Sequence, residues 1–342
     1  MFRYLVRRIL WAILLFLIIT FVTFVIFFMA PNDPARAQCG GEQARRACLV
    51  LVTEKLGLDK PITTQYAIFI NKLLPLSLWN NEGEYEGPVV VKKPTLGKQY
   101  ATGASLDDTI KQAAPVTASL VFGGAVLWMI IGLSVGIFSA LRPRSLIDRA
   151  AMVFVLVGVS AHPVWIGLIF SYFFGVKWHI TPIAGYANFF GAPPDTGLPG
   201  GPAQWAYHMI LPWMTFAILF AALYVRMIRA NVMETLNEDF VRTARAKGAP
   251  ERQVMVSHVL RNALLPVVTM LGMDIGIALG GAIFTEYVFQ LPGLGQTAII
   301  GINNEDLAIV QGVVVFATLA IIVFNLIVDL LYAWIDPRIR LT

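Results

Sequence analysis

Six stretches of this sequence are each long and apolar enough to cross a bilayer as a helix, and that repetition leaves few folds open. A hydrocarbon core about 30 Å thick needs roughly 20 apolar residues in helical form. The runs are Ile9 to Ala30, Pro115 to Leu141, Ala150 to Val176, Tyr207 to Val225, Asn262 to Thr285 and Leu307 to Ile335. The first three contain no Asp, Glu, Lys or Arg, and the last two contain one acid each, Asp274 and Asp329. With 57% hydrophobic and 14% charged residues, a soluble globular fold is excluded. The expectation is an all-α polytopic membrane protein of six transmembrane helices. Residues 1–30 form the terminus and first span, 31–114 an extracytoplasmic segment, and 115–342 a five-helix core containing a cytoplasmic loop at 226–262.

The net charge of +5 is distributed by side, which points to a membrane and not to nucleic acid. Arg3, Arg7 and Arg8 precede the first span; Arg142, Arg144 and Arg149 fill one connection; Arg226, Arg229, Arg242, Arg245, Lys247, Arg252 and Arg261 crowd another; Arg338 and Arg340 follow the last. The two short connections on the opposite side carry a single basic residue, Lys177, and the second holds Glu305 and Asp306. The positive-inside rule therefore puts both termini in the cytoplasm. The long first connection lies beyond the rule's range, so its ten basic residues do not contradict this.

At the start, MFRYLVRR and the following run read as a retained helix, because the run exceeds the usual length of a signal h-region. The other reading is cleavage after Ala35-Arg36-Ala37, leaving a chain that begins at Gln38. The only cysteines, Cys39 and Cys48, lie nine apart in the outer segment, where an oxidising compartment permits a loop-closing disulfide. The alternative is two free thiols; with no nearby His, two thiols supply too few ligands for a metal site. Ala44 to Leu58 and Pro61 to Leu74 read as helices. Leu78 to Lys98 reads as loop with a short strand at Val89 to Val91, and the Gly- and Pro-rich Gly185 to Gln204 as an irregular lid.

Within the spans, Gly123, Gly124, Gly132 and Gly136 allow close helix packing. Gly272, Gly276 and Gly280 recur every four residues, a stripe on which another helix can pack backbone to backbone. Asp274 lies nearly opposite that stripe and, being costly in hydrocarbon, has two readings: it lines a pathway, or it pairs with a polar residue. Met270 and Met273 are further pathway candidates. His162-Pro163 predicts a kink in the third span. His162 either lines a path or is a buried histidine bonded to backbone that the proline frees. Asp329 is placed to reach Arg226 or Arg229.

One interruption between spans reads as ordered charged helix: NEDFVRTARAKGAPERQVMVSHVLRNALLP, Asn237 to Pro266. Asn237 is the expected N-cap, with Glu238 and Asp239 in the first turn and Arg242, Arg245 and Lys247 towards the far end, the arrangement the helix dipole favours. Gly248 leaves the helix at positive φ, and Pro250 starts another. Ala244, Ala246 and Gly248 add little bulk, which suits a helix that docks into a groove. An amphipathic helix lying on the membrane has the same pattern.

No phosphate loop, HExxH, GxSxG or Cys/His cluster appears, and the four histidines are scattered. No catalytic or metal constellation assembles, so energy for any transport has to come from a partner or an ion gradient.

FRYLVRRIL, LGLDKPITTQY, GASLDDTIKQAAPVTASL, EDFVRTARAKGAPERQV, RNALLPVVT, TEYVFQLPGLG and VDLLYAWIDPRIR together resemble the permeases of ABC importers, in the B-type subunit of the dipeptide, oligopeptide and nickel group. The resemblance covers nearly the whole chain and implies a type I importer permease fold in a bacterial or archaeal inner membrane. It also implies an EAA-type coupling helix seated on an ATPase, here Glu238, Asp239, Arg242, Thr243, Ala244, Arg245, Lys247 and Gly248. Arg242-Thr243 stands where the general motif has Glu-Ala, and Leu260-Arg261 where it has Leu-Pro. The implied partners are a second similar permease, two ATPase subunits carrying ATP and Mg, and an extracytoplasmic solute-binding protein. This chain would then be a non-catalytic half of the pathway with no cofactor of its own. Peptides lead as substrate, with nickel complexes or other small solutes as alternatives. An ion-coupled carrier or a polytopic membrane enzyme is the competing class, but neither broken inverted repeats nor a polar catalytic cluster is visible.

Overall fold

The structure is a computed structural model that describes residues 2–29, 39, 46, 48–50, 53, 59–74, 76–77, 90–91, 93–99, 102–190, 200–304 and 306–335. These residues are nearly all helical. Helix α1 spans Phe2–Met29, α2 Ile62–Leu73, α3 Leu106–Leu141, α4 Leu146–Ser160, and α5 Pro163–Phe170 with a π-helical continuation Ser171–Lys177. Helix α6 spans Pro202–Leu236, α7 Asp239–Ala246, α8 the irregular run Glu251–Ala263, α9 Leu265–Ala278, α10 Ile283–Val288, α11 Leu294–Asn303 and α12 Leu307–Ile335. Strand β1, Leu76–Ser77, pairs antiparallel with β2, Val90–Val91. Among the described residues four helices are long and apolar enough to cross a membrane, or up to six if each of two bent pairs is one span.

The core is built on α3 against α6. Small residues of α3 receive large ones of α6: a Cβ at Gly124 would sit 2.7 Å from the Phe216 ring, one at Gly132 2.9 Å from Tyr224 Cβ, and one at Gly136 3.0 Å from Ile228. Glycine thus admits bulky side chains where lipid supplies no hydrophobic drive. Trp128 is fully buried and stacks on Phe220 at 4.6 Å between centroids. Helix α1 is peripheral, meeting α12 and α2; its buried Thr20 shares a hydrogen bond of 3.0 Å with Tyr66.

Several predicted boundaries move. Ser105 caps α3 by accepting from the Asp108 amide, so the helix starts before Pro115 and runs through it. The third span bends at His162-Pro163 as expected, and sharply: α4 and the helix from Pro163 meet at 107°. Pro163 disfavours helix in the residue before it, and His162 adopts ψ 137. Helix α6 continues past Val225 to 35 residues, about 52 Å at the standard rise. The fifth span starts earlier and ends sooner than Asn262 to Thr285: α8 and α9 bend by 44° and α9 stops at Ala278, where Gly281 takes φ 129. In the segment after α1, α2 and β2 fall within the expected helix and strand, while most of Ala44 to Leu58 and residues 191–199 of the expected lid lie outside the described residues. Cys39 and Cys48 form a disulfide with Cα atoms 5.9 Å apart.

Gly272, Gly276 and Gly280 all face α12. Built Cβ atoms there would lie 1.8 Å from Val328 Cγ2, 3.2 Å from Phe324 Cβ and 3.0 Å from Ala317 Cβ. Gly272→Leu is therefore expected to destabilise by about 1–3 kcal/mol through overpacking, and Gly276→Ala by less. Thermal unfolding of both variants in detergent checks the order; equal midpoints would mean that α9 and α12 do not pack this closely.

Candidate functional site

The charged interruption forms a compact unit at the end of α6, its buried residues continuous with the core. Asn237 ends α6 instead of capping α7: its amide bonds the Met233 carbonyl at 2.9 Å, and Glu238 takes the N-cap position without a side-chain cap. The apolar residues of α7 explain its seating. Val241 is fully buried and Ala244 half-buried, one turn apart on one face, against a cluster that includes Val254 and Val259 of α8. Ala244 therefore packs inward, and of the small residues only Ala246 and Gly248 are exposed.

Gly248 closes the helix at φ 78, and no atom lies within 4 Å of where its Cβ would be. Positive φ, not crowding by this chain, accounts for glycine there. Arg245 reaches across the turn to Glu251 with hydrogen bonds of 3.1 and 2.6 Å, clasping α7 to α8. That pairing pushes the Arg245 guanidinium above its ordinary range. The contact of Arg242 with Asp239, at 3.8 Å and exposed, adds little. Phe240, Arg242, Thr243, Ala246 and Lys247 are exposed. The unit thus presents an apolar ring, basic groups and a low-bulk end on a rigid base.

That base is held by a residue absent from the sequence-derived candidates. Asp148 is buried at the start of α4, accepts from Arg229 Nε at 2.7 Å and Nη2 at 3.1 Å, and also accepts from Ser139 Oγ and the Arg144 amide. It ties the end of α3, the start of α4 and the extended end of α6 together. Ser145-x-x-Asp148 has capping-box spacing, a signal for the helix start. Nothing local signals Arg229, 81 residues away. The expected partner of Arg229, Asp329, has a side chain outside the described residues.

The pathway candidates separate. Asp274 is half-buried and accepts from the Tyr224 hydroxyl at 2.7 Å, a polar pair of the kind one of its two readings expects. Met270 and Met273 are exposed at 41% and 48% on one stripe of α9 with Ile277. His162 is exposed, not buried. It caps α5 by accepting the Val164 amide at Nδ1, 3.3 Å away, with its ring edge-on to Phe284. The turn of 107° swings it outward. Among the described residues no three His, Cys, Asp or Glu side chains cluster to hold a metal.

Between the last spans, TEYVFQLPGLG folds around one carboxylate. Glu286 is fully buried and accepts from Thr117 Oγ1 at 2.7 Å and from the Gln296 amide at 3.0 Å, near the start of α11. Thr117 accepts in turn from the Leu294 amide at 2.8 Å. A Cβ at Gly293 would lie 2.5 Å from that carboxylate, which explains the glycine. Burial pushes the Glu286 carboxyl above its usual range, opposed by its hydrogen bonds from Thr117 and from the Gln296, Gly295 and Ala282 backbone.

Two family models match. Residues 132–341 match the inner membrane component of binding-protein-dependent transport systems, and residues 1–121 match the N-terminal part of such membrane components. The chain is 32% identical over 98% of its length to a probable peptide ABC transporter permease of Sinorhizobium fredii, covering 99% of that protein. It is 33% identical over 99% to the dipeptide transport system permease of Escherichia coli, and 34% identical over 99% to the glutathione transport system permease of Pectobacterium atrosepticum, with 99% of each covered.

Proposed function

Since the chain belongs to the family of binding-protein-dependent transport system inner membrane components and is an ABC importer permease subunit, we propose that it forms half of a peptide pathway driven through α7. Its partners are a second similar permease, two ATPase subunits that bind ATP and Mg, and an extracytoplasmic binding protein that delivers the peptide. Both termini and α7 are cytoplasmic. The cap after α1, with the Cys39 to Cys48 loop, receives the binding protein, and the stripe of Met270 and Met273 lines the path.

The observation that carries the reading is the construction of α7: a short helix anchored by Val241 and clasped by Arg245 and Glu251, with Phe240, Ala246 and Lys247 left exposed. A helix kept only as a membrane-surface ornament has no need of such a base. Each ATPase cycle moves α7 as a rigid body, and α8 and α6 pass the movement to the spans. Peptide as substrate rests on the relatives, whose printed names include peptide, dipeptide and glutathione transport.

Ala246→Trp adds bulk to the exposed end without the backbone strain that any side chain would meet at Gly248. We expect normal insertion and a thermal midpoint like wild type, with ATP-dependent dipeptide uptake in proteoliposomes of the assembled transporter lowered about tenfold, the equivalent of 1.4 kcal/mol in coupling. Undiminished uptake would remove α7 from the coupling role.

A further inference from the structure

A groove of about 350 Å³ lies between α4 and α6, lined by Met152, Val155, Leu156, Arg226, Arg229 and Ala230. We propose that it binds an anionic phospholipid, with the phosphate at Arg226 and Arg229 and an acyl chain along Met152, Val155 and Leu156.

Direction comes from the helix wheel. Tyr224 is buried and points into the core at Asp274. Arg226, two residues on, is about 200° round the helix. It shares the outward face with Leu223 and Ala230, all three exposed. The face is therefore left uncovered by this chain, and the reading takes it to meet lipid. Leu156 at 70% and Val153 at 60% exposure continue it on α4.

Charge then selects the lipid. Among the described residues Arg226 has no ion-pair partner, although it lies only one turn before Arg229 on the same helix. Asp148 is committed: it takes Nε and Nη2 of Arg229 and is buried behind them. Two guanidiniums thus border the groove while the carboxylate beside them is taken up by Arg229, which leaves a net positive charge next to an apolar wall. A phosphate supplies the missing negative charge, and guanidinium geometry suits it. The apolar wall lies along α4 beyond the Asp148 end, on the acyl side of such a headgroup.

The test uses the full chain within its assembled transporter and native mass spectrometry, titrating phosphatidylglycerol, phosphatidylcholine or inorganic phosphate. Phosphatidylglycerol is expected to bind about fivefold more tightly than phosphatidylcholine, as one basic residue near the headgroup accounts for. Arg226→Gln is expected to bring the two lipids within about twofold. Leu156→Trp, which fills the groove, should displace both. Wild-type and variant thermal midpoints in phosphatidylcholine should agree, since both side chains are exposed. Equal binding of the two lipids by wild type, unchanged preference in Arg226→Gln, or displacement by inorganic phosphate would each overturn the proposal. So would preference seen in the isolated chain but lost on assembly, which would put a partner's helix in the groove. None of these outcomes depends on uptake, so the proposal and the coupling role of α7 fail independently.

Discussion

Glu286→Ala is expected to destabilise the protein by about 3–5 kcal/mol and to loosen the hairpin of α10 and α11. The carboxylate caps α11 through the Gln296 amide and binds the Thr117 hydroxyl, which itself holds the Leu294 amide. Alanine leaves buried donors unsatisfied, and each such hydrogen bond to a charged group is worth about 1.5–3 kcal/mol. Some of that loss is offset because the buried carboxylate no longer has to be desolvated. The hairpin should become accessible to protease, and the thermal midpoint in detergent should fall. Thr117→Val removes only one arm and should cost less. Gly293→Ala attacks the same joint by crowding, since its Cβ would lie 2.5 Å from the carboxylate. An unchanged midpoint and protease pattern for Glu286→Ala would mean that this carboxylate does not hold the hairpin.

Asp148→Ala is expected to cost about 3 kcal/mol, towards the low end for breaking a buried ion pair because Arg229 keeps 25% side-chain exposure. Arg229 loses both bonds, and Ser139 and the Arg144 amide lose their acceptor. The double variant Asp148→Ala with Arg229→Met should recover part of the loss, because no uncompensated charge remains. Thermal unfolding of the two single variants and the double gives the coupling. Additive losses would show the pair to be incidental, and the extended end of α6 would then need another anchor for α7.

Much of this architecture is legible from local pattern. Apolar runs mark the membrane helices because crossing hydrocarbon is a matter of length and composition. The glycines of α3 and α9 are readable as packing surfaces because a small residue every third or fourth position lies on one face. Gly248 is readable as a helix end because positive φ is a local demand. The failures have a common origin. A proline announces a break at His162, but the 107° turn depends on what the second half packs against. Asn237 has the chemistry of an N-cap, yet α6 runs long enough to take it as its own end. Ala244 and Ala246 look alike in sequence, and only the seating of Val241 decides which of them faces out.

The sequence by itself determined the class of protein: an apolar multispan chain with charge sorted by side, a family, and a charged helix between spans. Those properties are carried by periodicity, composition and motif, each readable within a few turns of helix. The tertiary structure decided the partners: Asp148 with Arg229, Asp274 with Tyr224, and Glu286 with Thr117 and the start of α11. The three side-chain pairs join residues 50 to 169 positions apart. Which distant group satisfies a buried acid is set by how whole helices pack, and local pattern carries no term for that.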